Sequence, residues 1–293
     1  MVTRAAIVDI GSNSLRYMEG VCDEGVVRSY IKLLVTTRLA EGLSHTGRIK
    51  RENMLNSIEV LSEFRDRASK NGLPVYAYAT SAVRDAENGC EFIALARSSA
   101  GIDIDLLSGK REAEYSYIGA AGGRGGLIDI GGGSFQIAAG PDRASYPMGC
   151  VRAKDLVHAE TADAGFLTQR KVLELKLKEL TAIYASEKVD TWTGVGGSIT
   201  TIGALSAGLT EYDSSIVNNA VLTKQSVETM IYDLEAMGEL REAHPLLAQR
   251  HDVILYGAVI LAFLIDLLDI NSIVVSDRDG MEGYLMALST RAI

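Results

Sequence analysis

Cysteine is scarce in this 293-residue chain: Cys22, Cys90 and Cys150 are odd in number, far apart, and form no C-x-x-C. A disulfide framework is excluded, and three small buried side chains in a reducing, cytoplasmic setting are expected. The four histidines (His45, His158, His244, His251) show no metal-ligand spacing and no H-E-x-x-H, which argues against zinc. Long apolar runs are also missing. The longest, VILYGAVILAFLI at 253–265, is bounded by Asp252 and Asp266 and is too short for a bilayer, so it reads as a buried helix. At the N-terminus an aspartate interrupts MVTRAAIVDIG before any run reaches signal-peptide length. Positive charge is in deficit, 29 Lys+Arg against 38 Asp+Glu for a net −9. No broad nucleic-acid or membrane footprint is expected, and an anionic ligand would have to be held locally. G-x-G-x-x-G is absent, and Ser108-Gly109-Lys110 runs into Arg111 rather than completing a P-loop.

What is present alternates strand and helix patterns. The predicted strands include AAIVDI at 5–10, LRYMEGVCD, VVRSYIKLLVTTRL at 26–39 and VYAYAT at 75–80, with Gly25 as a hairpin turn. Met54, Ile58, Leu61 and Phe64 recur at helical spacing between Lys50 and Asn71. IDIDLLS precedes the helix REAEYSYIGAA. Further helices are predicted from Thr168 to about Ser186, over Lys224–Met237, over 253–267, and from about Met281. This order predicts an α/β protein of two domains with mixed sheets, bounded at 1–122 and 123–293, with the closing helix packing back on the first.

One repeat stands out. DIGSNS begins at Asp9 and DIGGGS at Asp129, each after an apolar strand and before another apolar segment. The shared strand context favours duplication, and two such turns facing each other would form a cleft. Glycines let backbone N–H groups converge on an anion, and Ser and Asn add donors. An aspartate at a strand end can hold a hydrated divalent ion that bridges to phosphate. Either turn alone would read as a tight hairpin. The repeat together with VGGS at 195–198 favours phosphate binding.

Seven segments carry a resemblance: DIGSNS, YATSAVRDAEN, LLSGKREAEYSYIG, DIGGGSFQIA, YPMGCVR, VGGSITTIGAL and RHDVILYGA. In this order, across nearly the whole chain, they resemble the exopolyphosphatase/guanosine pentaphosphate phosphohydrolase (Ppx/GppA) family, in its short two-domain form. That resemblance implies two ribonuclease-H-like domains of the actin-like ATPase superfamily. It also implies that Glu112 is the base on the attacking water and that Arg84 binds phosphate. On sequence grounds alone Glu112 is a first-turn helix acid and Glu114 a solvated neighbour facing elsewhere. Arg84 has Asp85 beside it, but residues at i and i+1 of a helix do not face each other.

By the same resemblance Gly11, Ser12, Asn13 and Ser14 form one phosphate turn, Gly131, Gly132, Gly133 and Ser134 a second, and Gly196, Gly197 and Ser198 a third. Asp9, Asp129 and Gln136 are the implied metal positions, for Mg2+ or another divalent cation. Two positions depart from the family. Gln136 stands where a glutamate is usual, and Met281 where an arginine is common.

The expected activity is release of terminal orthophosphate from polyphosphate or guanosine pentaphosphate, as part of a stringent-response chemistry. Expected partners are that polyanion and at most a second copy in a homodimer, with no nucleic acid and no membrane. The alternative is a polyphosphate or alarmone binding protein with weak turnover because of Gln136. A sugar or acetate kinase of the same superfamily is a third reading.

Overall fold

In β1 (Thr3–Ile10) the residues Ala5–Val8 and Ile10 are all fully buried, a near-continuous apolar run suited only to the middle of a sheet. The computed structural model describes residues 2–161, 164–182, 184 and 188–290. β2 (Ser14–Asp23) returns antiparallel along β1, and β3 (Val26–Thr36) pairs antiparallel with β2. Glu24 and Gly25 both take positive φ, the requirement of a two-residue hairpin whose twist matches its strands. The third strand ends at Thr36, short of the predicted Leu39, because the amides of Thr37 and Arg38 turn to the carbonyl of Asn13.

A one-turn helix α1 (Leu43–Thr46) leads to α2 (Arg51–Lys70), whose Met54, Ile58, Leu61 and Phe64 are buried as their spacing predicted. β4 (Val75–Ala79) then pairs parallel with β1. The helix-rich segment resolves into α3 (Ser81–Arg84) and α4 (Gly89–Leu95), closed by a wider π turn at Ala96–Ala100. β5 (Ile104–Leu106) pairs parallel with β4, and α5 (Gly109–Ala121) comes next. The sheet order is β3-β2-β1-β4-β5.

The second sheet repeats this plan. β6 (Gly126–Ile130), β7 (Phe135–Ala139) and β8 (Asp142–Tyr146) form an antiparallel meander. After α6 (Cys150–Thr161) and α7 (Phe166–Leu180), β9 (Trp192–Val195) pairs parallel with β6. α7 starts at Phe166 rather than the predicted Thr168 and stops at Leu180, short of the predicted Ser186, with Thr181 as its C-cap. Next come α8 (Gly197–Ser206), the short α9 (Ser214–Val217), β10 (Val221–Thr223), α10 (Lys224–Met237), the short α11 (Leu240–Ala243) and α12 (Ile254–Leu267). β11 (Ser272–Val275) completes the order β10-β11-β9-β6-β7-β8, and α13 (Gly280–Thr290) closes the described chain.

The chain divides into one unit of residues up to Gly119 together with those from Gly280, and another of Ala120–Asp279. In the first unit the two faces of the sheet carry separate cores. Ala6, Val8, Ile10, Leu15 and Tyr17 face α2, while Ala5, Ile7, Met18 and Cys22 meet Met281, Tyr284 and Leu285 of α13. The second unit is built on α12, buried from Ile254 through Ala262. No helix among the described residues is long and apolar enough to cross a membrane. Of the three cysteines, Cys22 and Cys150 are buried, whereas Cys90 is exposed, against expectation.

One buried carboxylate ties sheet to helix in the first unit. Glu19, only 2% exposed, accepts from Tyr17 Oη (2.9 Å), Asn71 Nδ2 (2.8 Å) and Arg67 Nε (3.3 Å), next to a bulge at Glu19/Gly20. Burial and the bond to Glu19 push the Tyr17 phenol far above its ordinary range, so it remains a donor. Tyr17→Phe should cost about 1.5 kcal/mol, since hydrogen bonds to charged groups exceed neutral ones. The measurement is the urea midpoint.

Candidate active site

Parallel strands bring their C-terminal ends to one edge, and the turn or helix start after each strand gathers there. In the first unit those strands are β1, β4 and β5, so the DIGSNS turn, α3 and the start of α5 meet. The amide of Thr80 donates to the carbonyl of Ile10, and that of Leu107 to Ala79. In the turn, the amide of Gly11 donates to the carbonyl of Ser14 at 3.2 Å, and Asn13 Nδ2 donates to Ser14 Oγ at 3.3 Å. Ser12 Oγ and Ser81 Oγ, both buried, share a hydrogen bond of 3.1 Å that fastens the turn to α3.

Arg84, the last residue of α3, donates through Nη1 to the carbonyl of Leu107 (2.9 Å) and to Glu112 Oε2 (3.3 Å). The two residues singled out for chemistry in this unit are therefore in contact. Glu112 lies in the first turn of α5 with its side chain 15% exposed, within reach of water but largely sheltered. Two expectations need correction. Arg84 Nε also pairs with Asp85 at 3.3 Å, because α3 has only four residues and Asp85 is its C-cap rather than a helical neighbour. Glu114, expected in solvent, is half-buried. Arg111 takes no part, since its guanidinium forks onto Asp105 at 3.1 and 3.0 Å and onto the Tyr115 hydroxyl at 2.9 Å.

Asp9, the penultimate residue of β1, is 4% exposed, and its Oδ2 accepts from both Nε (3.1 Å) and Nη2 of Arg16. These residues are direct partners across β1 and β2, so their side chains leave the same face of the sheet.

The second unit has the same construction. Asp129 and Gln136 are direct partners across β6 and β7, the register position held by Asp9 and Arg16 in the first unit. The amide of Gly131 donates to the carbonyl of Ser134 at 3.0 Å, as Gly11 does to Ser14. Gln136 is 1% exposed, and its Nε2 donates to Ser134 Oγ (2.9 Å) and Ser145 Oγ (3.2 Å). The carbonyls of Gly131 and Gly132 accept from the amides of Cys150 and of Val151 and Arg152, which seats the start of α6 on the turn. Gly149 permits this, because a Cβ there would run into the backbone of Gly131 and Gly132.

The third predicted turn arrives on β9, parallel to β6. Gly196 has φ +94°, and a Cβ on it would meet the Ile130 carbonyl and lie 3.0 Å from Asp129 Oδ1. Only glycine leaves space beside that carboxylate. Gly197 opens α8 with the Arg250 guanidinium against its Cα, and Ser198 packs against Gly257. Burial pushes the Cys150 thiol up, so it stays protonated as a small filler under this turn.

Mg2+ needs few protein ligands, one or two carboxylates with water and phosphate completing its shell. Among the described residues no group of three His, Cys, Asp or Glu could hold a metal. The cradle between Asp129 and Gly196 fits the sparser arrangement. Ser81, Gly149 and Arg250 were not singled out in the sequence. Gly149 and Arg250 lie in YPMGCVR and RHDVILYGA, whose glycine and arginine were the only signal.

The family model described as the Ppx/GppA phosphatase family matches residues 22–292. Exopolyphosphatase 2 of Mycobacterium tuberculosis is 27% identical, over 98% of this chain and 99% of its own length. A solved structure of the Aquifex aeolicus Ppx/GppA family member shares 25% identity and a TM-score of 0.79, covering 100% of this chain and 99% of that one. An exopolyphosphatase structure from Cytophaga hutchinsonii superposes with a TM-score of 0.80 at 19% identity, over 99% and 98% of the two chains, and shows the shared fold.

Proposed function

Given that this chain belongs to the Ppx/GppA phosphatase family and is a hydrolase of phosphoanhydride bonds, we propose that it removes terminal orthophosphate from polyphosphate through Glu112. The observation that carries the reading is the contact of Glu112 with Arg84 at the shared edge of β4 and β5. A carboxylate held by a guanidinium is kept in place while still able to accept a proton. When phosphate oxygens arrive, Arg84 can offer its fork to them and release Glu112 to water.

In this mechanism the water oxygen attacks the terminal phosphorus in line, and Glu112 takes one of its protons. The bond from that phosphorus to the bridging oxygen breaks, and the electron pair leaves with the shortened chain. Within the first unit Arg84 would stabilise charge on phosphoryl oxygens; within the second, the amides of Gly131–Ser134 and the start of α8 at Gly196–Ser198 are suited to the same task. Ser12, Asn13 and Ser14 would add donors from the first turn. A divalent ion such as Mg2+, when bound, neutralises charge on those oxygens, and Asp129 is the carboxylate that would hold it.

Polyphosphate is the first substrate because repeated phosphates ask only for amides and cations. Guanosine pentaphosphate is the second. The test is orthophosphate release from long-chain polyphosphate and from guanosine pentaphosphate with Mg2+ varied. Release from polyphosphate is expected, and no release from either would sink the reading. A second reading, binding with little turnover, rests on Gln136, whose neutral amide is committed to Ser134 and Ser145. It requires labelled polyphosphate to bind without phosphate release, and Gln136→Glu to raise the rate.

A further inference from the structure

Away from the glycine turns, the second unit holds a polar cluster where α6, α7 and α12 meet. Tyr256 on α12 is 5% exposed, and its Oη donates to Gln169 Oε1 on α7 at 2.8 Å. Gln169 Nε2 donates in turn to the carbonyl of Ala164 at 3.0 Å, which directs Oε1 to the phenol. The single proton of Tyr256 Oη is thereby committed. At its 2.9 Å contact with His158 Nε2 the phenol oxygen accepts, so the imidazole carries a proton on Nε2. Four residues before each of these two, Lys154 Nζ lies 2.6 Å from Asp252 Oδ2. His158 stands two turns beyond Cys150, about 12 Å along α6 from the second glycine turn.

Arg241 on α11 borders this cluster. Its guanidinium acts electrostatically on both Tyr256 and Asp252, and its Nε donates to the carbonyl of Gly238 at 2.9 Å. Arg241 is half-buried, and among the described residues no acid forms an ion pair with it. The half-buried Arg84, Arg111, Lys154 and Arg170 each lie against a carboxylate. The acid nearest in charge to Arg241 is Asp252, which already holds Lys154. Burial therefore pushes the Arg241 guanidinium below its ordinary range.

We propose that Arg241 anchors a phosphate-binding site beside the cluster of α6, α7 and α12, apart from the glycine turns. A partly desolvated cation without an acid is destabilising, and a bound oxyanion supplies the missing charge. The two terminal nitrogens of the guanidinium form a fork that matches two oxygens of a phosphate. Lys154 and Arg241 against Asp252 leave one positive charge in surplus with His158 neutral, within a chain of net charge −9. A carboxylate would also match the fork. Phosphate is favoured because a hydrolase of phosphoanhydride bonds meets it both as free product and along its substrate. His158, held by Tyr256, is a fixed neighbour whose ring reports on what binds beside it.

The test follows the ring nitrogens of His158 and the Nε–H of Arg241 by nitrogen NMR in the whole chain. Orthophosphate is added at constant ionic strength. Both sets of signals should move together and saturate. Arg241→Gln should abolish the His158 response, and Arg241→Lys, which keeps the charge without the fork, should weaken binding about tenfold. In phosphate-free buffer Arg241→Gln should melt no lower than the wild type, because it removes a cation that no acid offsets. Tripolyphosphate separates the two sources. A response to orthophosphate assigns the free product, a response to tripolyphosphate alone assigns a phosphate of the chain, and either supports the site. The proposal is overturned by no saturable response to either, by a His158 response that persists in Arg241→Gln, or by an equal response to acetate. A phosphate-free melting point of Arg241→Gln clearly below the wild type would overturn it as well. No turnover enters the readout, so such a failure leaves the hydrolase reading standing, and a failure to release phosphate leaves this site standing.

Discussion

Glu112→Gln should lower the rate of orthophosphate release from polyphosphate by about 10²- to 10⁴-fold, the usual worth of a positioned general base. The substitution suits the site because glutamine keeps the shape of the side chain, and its carbonyl oxygen can still accept from Arg84 Nη1. What it cannot do is take a proton from water near neutral pH. The loss should therefore fall on kcat, with KM for polyphosphate changed little. Folding should be nearly unaffected: the Arg84 and Glu112 side chains are 25% and 15% exposed, and a partly exposed pair of this kind contributes on the order of 1 kcal/mol or less. A thermal unfolding curve close to wild type beside a collapsed rate is the expected signature. Equal rates for the two proteins would take Glu112 out of the mechanism. A rate loss accompanied by an equal loss of folded protein would give it a structural role only.

That Arg84 and Glu112 touch was not legible in the sequence, although each was singled out. They stand 28 positions apart, and their meeting depends on β4 and β5 being parallel neighbours, a pairing that no local pattern encodes. The repeat was more informative. Once Asp9 and Asp129 are placed at the ends of equivalent strands, the direct pairing of each with the residue seven positions on comes from a tight turn of fixed length. The strongly periodic helices α2 and α10 were also legible, because an apolar stripe at helical spacing is a local signal.

What escaped were the elements held by context. β10 has three residues and only Leu222 buried, and β8 is polar, D-R-A-S-Y, with no alternation to mark it. β8 is retained by its ladder to β7 and by Tyr146 stacking on Phe135 with ring centroids 4.9 Å apart. The segment that became α6 offered no cap or clear stripe, and its start is fixed by amides bonded to the glycine carbonyls of the second turn. Long-range partners decide these cases.

Lys32→Met should destabilise the first unit by about 3 kcal/mol, the low end for breaking a buried ion pair from one side. Glu282, in the first turn of α13, is 1% exposed, and Lys32 Nζ on β3 lies 2.7 Å from its Oε1. Methionine matches the lysine stem in bulk, so packing along β3 is kept while the ammonium is removed. The carboxylate is then left in a setting built around a positive charge. The asymmetry of such pairs supplies the control: removing both charges costs far less than removing one. Lys32→Met combined with Glu282→Gln should therefore recover much of the lost thermal stability, and Glu282→Gln alone should cost less than Lys32→Met. Met281 is 2% exposed in the apolar layer between α13 and the sheet. It brings no charge to this layer and takes no part in the pair of Lys32 with Glu282. If Lys32→Met unfolds within about 1 kcal/mol of the wild type, that pair is not what seats α13, and the apolar contacts of Met281, Tyr284 and Leu285 suffice to hold it.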